Sequence, residues 1–219
     1  MCAVLRAFGW QDPSDGDKQL RKVEDGKEEE VKGMKKFVKR DFPVEDVRRF
    51  LEPGPIVLVS SAWKGERNMM TMGWHMIMGE DPSLVGCFIW DQNHSRELVR
   101  KSKECVINVP TVDIATKVVK VGNSSGREID KFAEFGFTAL PGKHVKAPLI
   151  GECFANFECK LIDSSLINKY SLFVFEVVKA HVAQVPKFPK TIHYRGSGLF
   201  MLSGPTTNRY RKLFKPEML

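Results

Sequence analysis

Four short segments gather the side chains from which a site could be made. The densest is Asn68-Met69-Met70-Thr71-Met72-Gly73-Trp74-His75-Met76. A strand alternates its faces, so Asn68, Met70, Met72 and Trp74 fall on one side, and Met69, Thr71, Gly73 and His75 on the other. The second set is small and polar around a glycine, where a backbone can approach a flat ligand closely. Peptide groups there can bond a heteroaromatic edge, with Thr71 adding a hydroxyl. The bland alternative is a Met-rich core strand in which Thr71 and His75 are merely satisfied.

The second segment, Asp91-Gln92-Asn93-His94-Ser95-Arg96-Glu97, puts two amides, an imidazole, a hydroxyl and a guanidinium at a strand-to-helix junction. A helix N-terminus with a serine and an arginine suits an anion; the commoner case is an ordinary capped helix with surface charges. The third, Ser124 to Phe132, is again a polar loop opening a helix, with Arg127 and Lys131 in it. The fourth, His193-Tyr194-Arg195-Gly196-Ser197-Gly198, reads as a terminal strand with a bulge, unless Tyr194 or Arg195 covers a ligand.

The elements that must position these segments follow from periodicity. Pro43 to Leu51 suggests a short amphipathic helix closed by Pro53-Gly54-Pro55. Ile56–Ser61, Met69–Met76 and Leu84–Trp90 read as strands, the first two joined by the polar turn Lys64 to Asn68. Ser95 caps a helix running to about Lys103, with Glu97 in its first turn and Lys101 and Lys103 in its last. Cys105–Val109, Phe154–Ile162, Leu172–Val185 and Thr191–Met201 are further strands; Val112–Val121 and Glu128–Phe135 are helices. Hairpin-like spacing with small helices between strands predicts a mainly β fold, an antiparallel Greek-key barrel with helical insertions. No G-x-G-x-x-G follows a strand and no G-x-x-x-x-G-K-[ST] occurs, which excludes those two nucleotide-binding signatures.

The chain of 219 residues is 42% apolar and 28% charged, enough for one domain with a full core and marginal for two. No stretch reaches about 18 apolar residues, so no membrane-spanning helix is predicted. The first ten residues lack the pattern of a secretory signal. Five scattered cysteines show neither C-x-x-C spacing nor a disulfide framework, and no zinc site is supported. The expectation is free thiols, small buried hydrophobes, in a reducing cytoplasm. Residues 1–33 hold six basic and eight acidic side chains, so of the net +7 the remainder carries +9. They are expected to form a solvated leader or upstream extension ahead of a domain at 34–219. A basic body can attract nucleic acid, an anionic lipid surface or a phosphorylated cofactor. The cations form no long run and do not interleave with aromatics, so nucleic acid is the weaker option.

The segments taken in order resemble a family. From Pro55 to Met201 the chain is similar to the flavin reductase-like, FMN-binding split barrels, which include flavin reductases and flavoredoxins. The resemblance is carried by P-I-V-L-V-S-S at 55–61, N-M-M-T-M-G-W at 68–74, D-P-S-L-V-G at 81–86 and N-H-S-R-E-L at 93–98. It continues with E-C-V-I-N-V-P at 104–110, S-G-R-E-I-D-K-F at 125–132, A-P-L-I-G-E-C-F-A-N-F-E-C-K-L at 147–161 and L-F-V-F-E-V-V at 172–178.

This resemblance implies a six-stranded split barrel, bound FMN and a homodimer. It places Asn68, Thr71, Met72, Gly73 and Trp74 along the isoalloxazine. Asn93, Ser95 and, by charge, Arg96 take the ribityl phosphate, and Lys131 approaches the cofactor. Reductase members often read G-D-H before the long strand and G-E-V within it. Here Lys169-Tyr170 and Phe175-Glu176-Val177 stand there, so the His that can serve nicotinamide chemistry is replaced at Tyr170. The leading expectation is hydride transfer from NAD(P)H to FMN, with electrons passed onward. One alternative is a flavoredoxin-like carrier that keeps its FMN and receives electrons from a partner protein. The other is a flavin- or nucleic-acid-binding module without redox work.

Overall fold

The computed structural model describes residues 37–44, 47, 54–196 and 198–218. The predicted leader at 1–33 and most of the helix expected over 43–51 lie outside them. The described residues fall in one compact unit, Lys36–Leu219.

The frame is one antiparallel eight-stranded sheet. Its strands are β1 (Lys39–Phe42), β2 (Val57–Trp63), β3 (Glu66–Met72), β4 (His75–Gly79), β5 (Leu84–Phe88), β6 (Glu104–Val109), β9 (Ala155–Asp163) and β10 (Leu172–Ala183). The order is β3-β2-β6-β9-β10-β5-β4, and β1 adds to β10. Two short pairs complete the β structure: β7 (Ala139–Leu140) with β8 (Leu149–Ile150), and β11 (Ile192–Gly196) with β12 (Leu199–Leu202). The helices are α1 (His94–Ser102), α2 (Ala115–Gly122), α3 (Lys131–Glu134) and α4 (Ile167–Tyr170). This is the expected mainly β split barrel with helical insertions, but its main sheet has eight strands where six were expected, since the run at 69–76 divides in two and the charged β1 joins the edge of β10.

Local chemistry explains the frame. The β2–β3 hairpin turns on Lys64 and Gly65, both at positive φ (49° and 87°), the geometry whose twist matches its strands. The run expected as one strand over Met69–Met76 is two, because the ladder stops at Gly73 and Trp74. β3 and β4 are therefore consecutive in the chain yet stand at opposite ends of the sheet order. That break is where the barrel splits. The long β10 reaches β5 with residues 172–176 and β1 with 180–183, while β9 lies along its other edge.

Alternation divides the apolar residues into two layers. Val59, Met70, Met72, Cys87, Ile107, Phe157, Phe173 and Phe175 fill the barrel. Leu58 and Met69 face outward, against Val118 and Val121 of α2 and Phe132 of α3. Cys87, Cys105, Cys153 and Cys159 are buried free thiols, as expected.

Candidate functional site

The predicted residues form three small groups around α1, α2 and the barrel's split. The first is at the start of β3. Asn68 is 3% exposed, and its Nδ2 donates to Ser95 Oγ at 3.0 Å. Its Oδ1 is buried with no hydrogen-bond partner. Gly126 packs against this amide so closely that a Cβ there would lie 2.1 Å from Oδ1. Ser95 is not the cap. Asn93 occupies that position in extended conformation (φ −72°, ψ 124°) without a side-chain cap bond, and Ser95 is fully buried in the first turn. Its neighbour His94 bonds Glu66.

The second group binds the carbonyls of α2. Thr71 Oγ1 donates to Val118 O at 2.6 Å, and Gly122 lets the helix close on Thr71, since a Cβ there would sit 3.1 Å from Thr71 Cβ. Lys131 Nζ donates to Val121 O at 2.9 Å. Lys131 is 5% exposed, and burial without a counter-charge lowers its pKa to about 8. The sequence fixes α3 here through Asp130, whose carboxylate accepts from Phe132 N at 2.9 Å and from Arg67 Nη2 at 2.8 Å. The Arg67 guanidinium lies 4.8 Å over the Phe132 ring.

The third group is the split itself. Gly73 and Trp74 belong to no strand and are exposed, Trp74 by 58%, while the adjacent Met72 is buried in the barrel. Trp74 is held by Phe88 N, which donates to its carbonyl at 3.0 Å, and by the Phe88 ring at 5.1 Å. His75 beyond it is anchored through Nε2 to Pro55 O at 2.8 Å.

Arg96 does not join these groups. Its Nη1 donates to Ile89 O at 2.7 Å and Ser171 Oγ at 2.9 Å, and its Nη2 to Ile167 O at 3.1 Å. It also lies 5.6 Å over the Phe173 ring. The guanidinium thus ties α1 to the turn that carries α4 and exposed Tyr170. Arg127 of the third segment stands at the start of α1 instead, its Nη1 donating to Gln92 O at 3.2 Å. A cleft of about 610 Å3 runs along α1, lined by Asn93, Arg96, Arg100, Lys103 and Arg127 among others. Sequence reasoning missed Arg100 and Lys103 in this setting, because on the sequence they are ordinary exposed helix cations. The fourth segment makes the β11–β12 hairpin, where Tyr194 packs on Phe200 at 5.0 Å and its hydroxyl accepts from Gly198 N.

Such an arrangement offers a flat open strand break, a buried uncompensated cation and a basic helix start, which together suit a planar anionic ligand. Comparison with known proteins points the same way. The family model described as "Flavin reductase like domain" matches residues 48–198. An uncharacterised protein of Pyrococcus abyssi (strain GE5 / Orsay) is 33% identical over 130 residues, covering 59% of this chain and 74% of its own. Among solved structures, an FMN-binding domain of a flavin reductases-like enzyme from Shewanella baltica OS155 superposes with a TM-score of 0.74. It has 25% identity, with 80% of this chain and 98% of that one covered. The flavoredoxin of Desulfovibrio vulgaris (Miyazaki F) gives a TM-score of 0.64 at 23% identity, covering 70% of this chain and 88% of its own.

Proposed function

The chain belongs to the flavin reductase-like family, and on that premise we propose that it is a flavoprotein that takes a hydride from NAD(P)H onto FMN and passes electrons onward. The observation that carries this reading is Lys131. A nearly buried ammonium whose one hydrogen bond goes to a carbonyl is a costly arrangement, and an anionic ligand offsets the cost. The other residues fit FMN as well. Asn68 Oδ1 is a buried acceptor without a donor, and the Gly73–Trp74 break leaves backbone outside the ladder next to an exposed aromatic ring.

In this reading Asn68, Thr71, Met72, Gly73 and Trp74 border the isoalloxazine, and Lys131 counters the cofactor's negative charge. The phosphate goes to the first turn of α1 at Asn93, with Arg127 as the cation in place of Arg96, while the buried Ser95 hydroxyl holds Asn68 from behind. The bound flavin supplies the two-electron redox chemistry. The protein's part is position and charge: Trp74 covers the open edge, and Arg96 holds the turn bearing Tyr170. No side chain needs to act as acid or base.

The protein pairs as a homodimer. Trp74, Met76 and Met78 stand exposed along the split and β4, an apolar edge that a second copy covers. It works in the cytoplasm, a location that the four free buried thiols support. Among the described residues no helix is long and apolar enough to cross a membrane.

Purified protein titrated with FMN should show flavin absorption and quenched flavin fluorescence at one equivalent per chain, with a dimeric mass. Steady-state oxidation of NADH and NADPH with FMN then separates a reductase from a flavoredoxin-like carrier. The carrier is the second reading, favoured by Tyr170 at the place of the nicotinamide-serving His. Saturating FMN that leaves no trace in either spectrum would sink both.

A further inference from the structure

We propose that the stretch from residue 184 to residue 216 docks the protein on an anionic phospholipid surface. The inference is independent of the flavin reading and uses none of its residues.

Charge and exposed apolar surface coincide in this stretch. No carboxylate occurs in the chain between Glu176 and Glu217. Of the lysines and arginines in that interval, Lys179 pairs with Asp41 of β1. The other seven are exposed: Lys187, Lys190 and Arg195 before or within the β11–β12 hairpin, and Arg209, Arg211, Lys212 and Lys215 after it. None of these seven forms an ion pair among the described residues. The same stretch is under a fifth of the described residues, yet it carries eight of the seventeen large apolar side chains exposed among them. Apolar residues exposed singly need no explanation; such a concentration does.

Local structure keeps the two kinds of side chain together. Arg195 Nη2 reaches Met201 Sδ at 2.9 Å across the hairpin. Lys187 lies 5.6 Å over the Phe188 ring, and Arg209 lies 4.5 Å over the Tyr210 ring. Thr191 N donates to Ser203 Oγ at 2.8 Å and Ser203 N to Thr191 O at 3.0 Å, so the later segment leaves from the base of the hairpin, next to Lys190. It then makes a 3-10 turn over Arg211–Leu213, closed by Leu213 N donating to Tyr210 O at 2.9 Å. That turn holds Leu213 81% exposed and Phe214 52% exposed amid four cations.

Three kinds of partner could meet a basic surface with apolar points, and the side chains favour one. Five of the eight apolar groups, Val185, Leu199, Met201, Leu202 and Leu213, are aliphatic and give a nucleic-acid base no face on which to stack. A second copy would set the same seven cations against themselves with no carboxylate between them. An anionic headgroup layer answers the cations, and the acyl boundary beneath it takes the apolar side chains. The lysine and arginine stems suit that boundary, since they lie along apolar surface while their heads stay in the polar layer. The four cations after the hairpin also fall past residue 198, outside the matched domain, so the barrel itself does not account for them.

The test is co-sedimentation of the full chain with phosphatidylcholine vesicles made with and without phosphatidylserine. One variant, Arg209→Gln with Arg211→Gln, Lys212→Gln and Lys215→Gln, removes charge. A second, Leu213→Ser with Phe214→Ser, removes the apolar points. All six positions are exposed, so both variants should keep the wild-type Tm. Wild type should sediment with the anionic vesicles, stay free of the neutral ones, and be released as salt rises. The partition coefficient should fall about tenfold or more in the charge variant and roughly threefold in the apolar one. Wild type that binds neither vesicle, or both alike, overturns the proposal, as does a charge variant that binds as wild type. An apolar variant that binds as wild type reduces the contact to a polyelectrolyte one and overturns it too. An oligonucleotide bound more tightly than the vesicles reassigns the surface to nucleic acid. Should either variant unfold early, the vesicle preference and salt response of the wild type decide alone.

Discussion

Two buried charges, Glu158 on β9 and Lys131 at the start of α3, are treated in opposite ways. Glu158 is fully buried, and its carboxylate accepts from Lys143 N at 3.0 Å, His144 N at 2.6 Å, Val145 N at 3.0 Å and His181 Nε2 at 2.7 Å. Burial alone would raise its pKa, but the bonds from His181 and the three backbone N–H groups outweigh it and hold the acid below its ordinary value. Lys131 is nearly as buried and has one carbonyl partner. Burial pulls it down to about 8. A buried charge with its full set of partners holds the fold together: Glu158 pins the 143–145 loop onto the barrel. A buried charge short of partners weakens the fold, and the proposed role of Lys131 is to answer a bound anion. The comparison makes the two residues opposite in stability, in binding and in pH response.

The largest effect is expected at Glu158. Glu158→Ala strands three backbone N–H groups and His181, a loss of about 3–5 kcal/mol. For a chain of this size that lowers Tm by roughly 6–20 °C. The folded variant should still bind one FMN per chain. A variant that keeps its Tm would show that Glu158 is not the fastener of this loop. Since the folded-state pKa is depressed, this stabilisation is present above the unfolded value near 4.5 and is lost as pH falls through the folded one.

Lys131→Met should do the reverse. Removing an under-partnered ammonium relieves its burial, so apo-protein Tm should hold or rise at pH 7. FMN affinity should drop about ten- to hundredfold, the range for one charge-assisted bond of roughly 1.5–3 kcal/mol. The pH signs also differ. The unfolded chain keeps its Lys131 proton up to about 10.5, whereas the folded chain releases it near 8. Between those values the unfolded state binds more protons, so apo stability gains with rising pH. FMN affinity should fall over the same window, because the cation that answers the ligand is lost. Fluorescence titrations from pH 6.5 to 9.5, in wild type and Lys131→Met, read this directly; a wild-type affinity flat across pH 8 removes Lys131 from the site.

The same contrast explains what the sequence made legible. β2 and β6 announce themselves as short β-branched runs between turn residues, and both are where expected. The split at Gly73–Trp74 did not, because Met69 to Met76 reads as one apolar run with a single glycine as its break signal. β1 was missed because Lys39-Arg40-Asp41-Phe42 is mostly charged; it pairs with β10 by backbone bonds, with Arg40 and Asp41 exposed, Phe42 half-buried against the core and Lys39 donating to Gly151 O. Glu158 was invisible for a different reason. Its partners lie 13 to 15 and 23 residues away, and no local pattern says that a glutamate in a strand will collect them. At the candidate site the residue types were readable but their directions were not. Arg96 looked like a phosphate ligand beside a helix start; it turns instead to carbonyls 7 and 71 residues distant.

Gly126 offers an intermediate test on the binding side. A Cβ at this position would fall 2.1 Å from Asn68 Oδ1, and the amide is too enclosed to swing away. Gly126→Ala should therefore displace Asn68 from Ser95. The expected stability loss is about 1–3 kcal/mol, and FMN should weaken roughly tenfold, one hydrogen bond's worth near 1.4 kcal/mol. Unchanged FMN affinity in a folded Gly126→Ala protein would separate Asn68 from the ligand.

The smallest effect, and the one that best divides the fold's needs from the ligand's, is expected at Thr71. Its hydroxyl donates to Val118 O at 2.6 Å, so it already works for the packing of α2 on β3. Thr71→Val keeps the branched shape against Gly122 and removes that donor. The stability loss should be about 1 kcal/mol, the net worth of an ordinary hydrogen bond, or roughly 2–4 °C in Tm. If the oxygen also accepts a bond from the ring, FMN and riboflavin should weaken by the same factor of a few, since neither loses a phosphate contact. Arg127→Ala supplies the control: it should weaken FMN alone and narrow the gap between FMN and riboflavin, leaving Tm in place. A Thr71→Val protein that loses the Tm and binds both flavins as wild type would assign the hydroxyl wholly to the helix, and the ring would then rest on Gly73 and Trp74 without it.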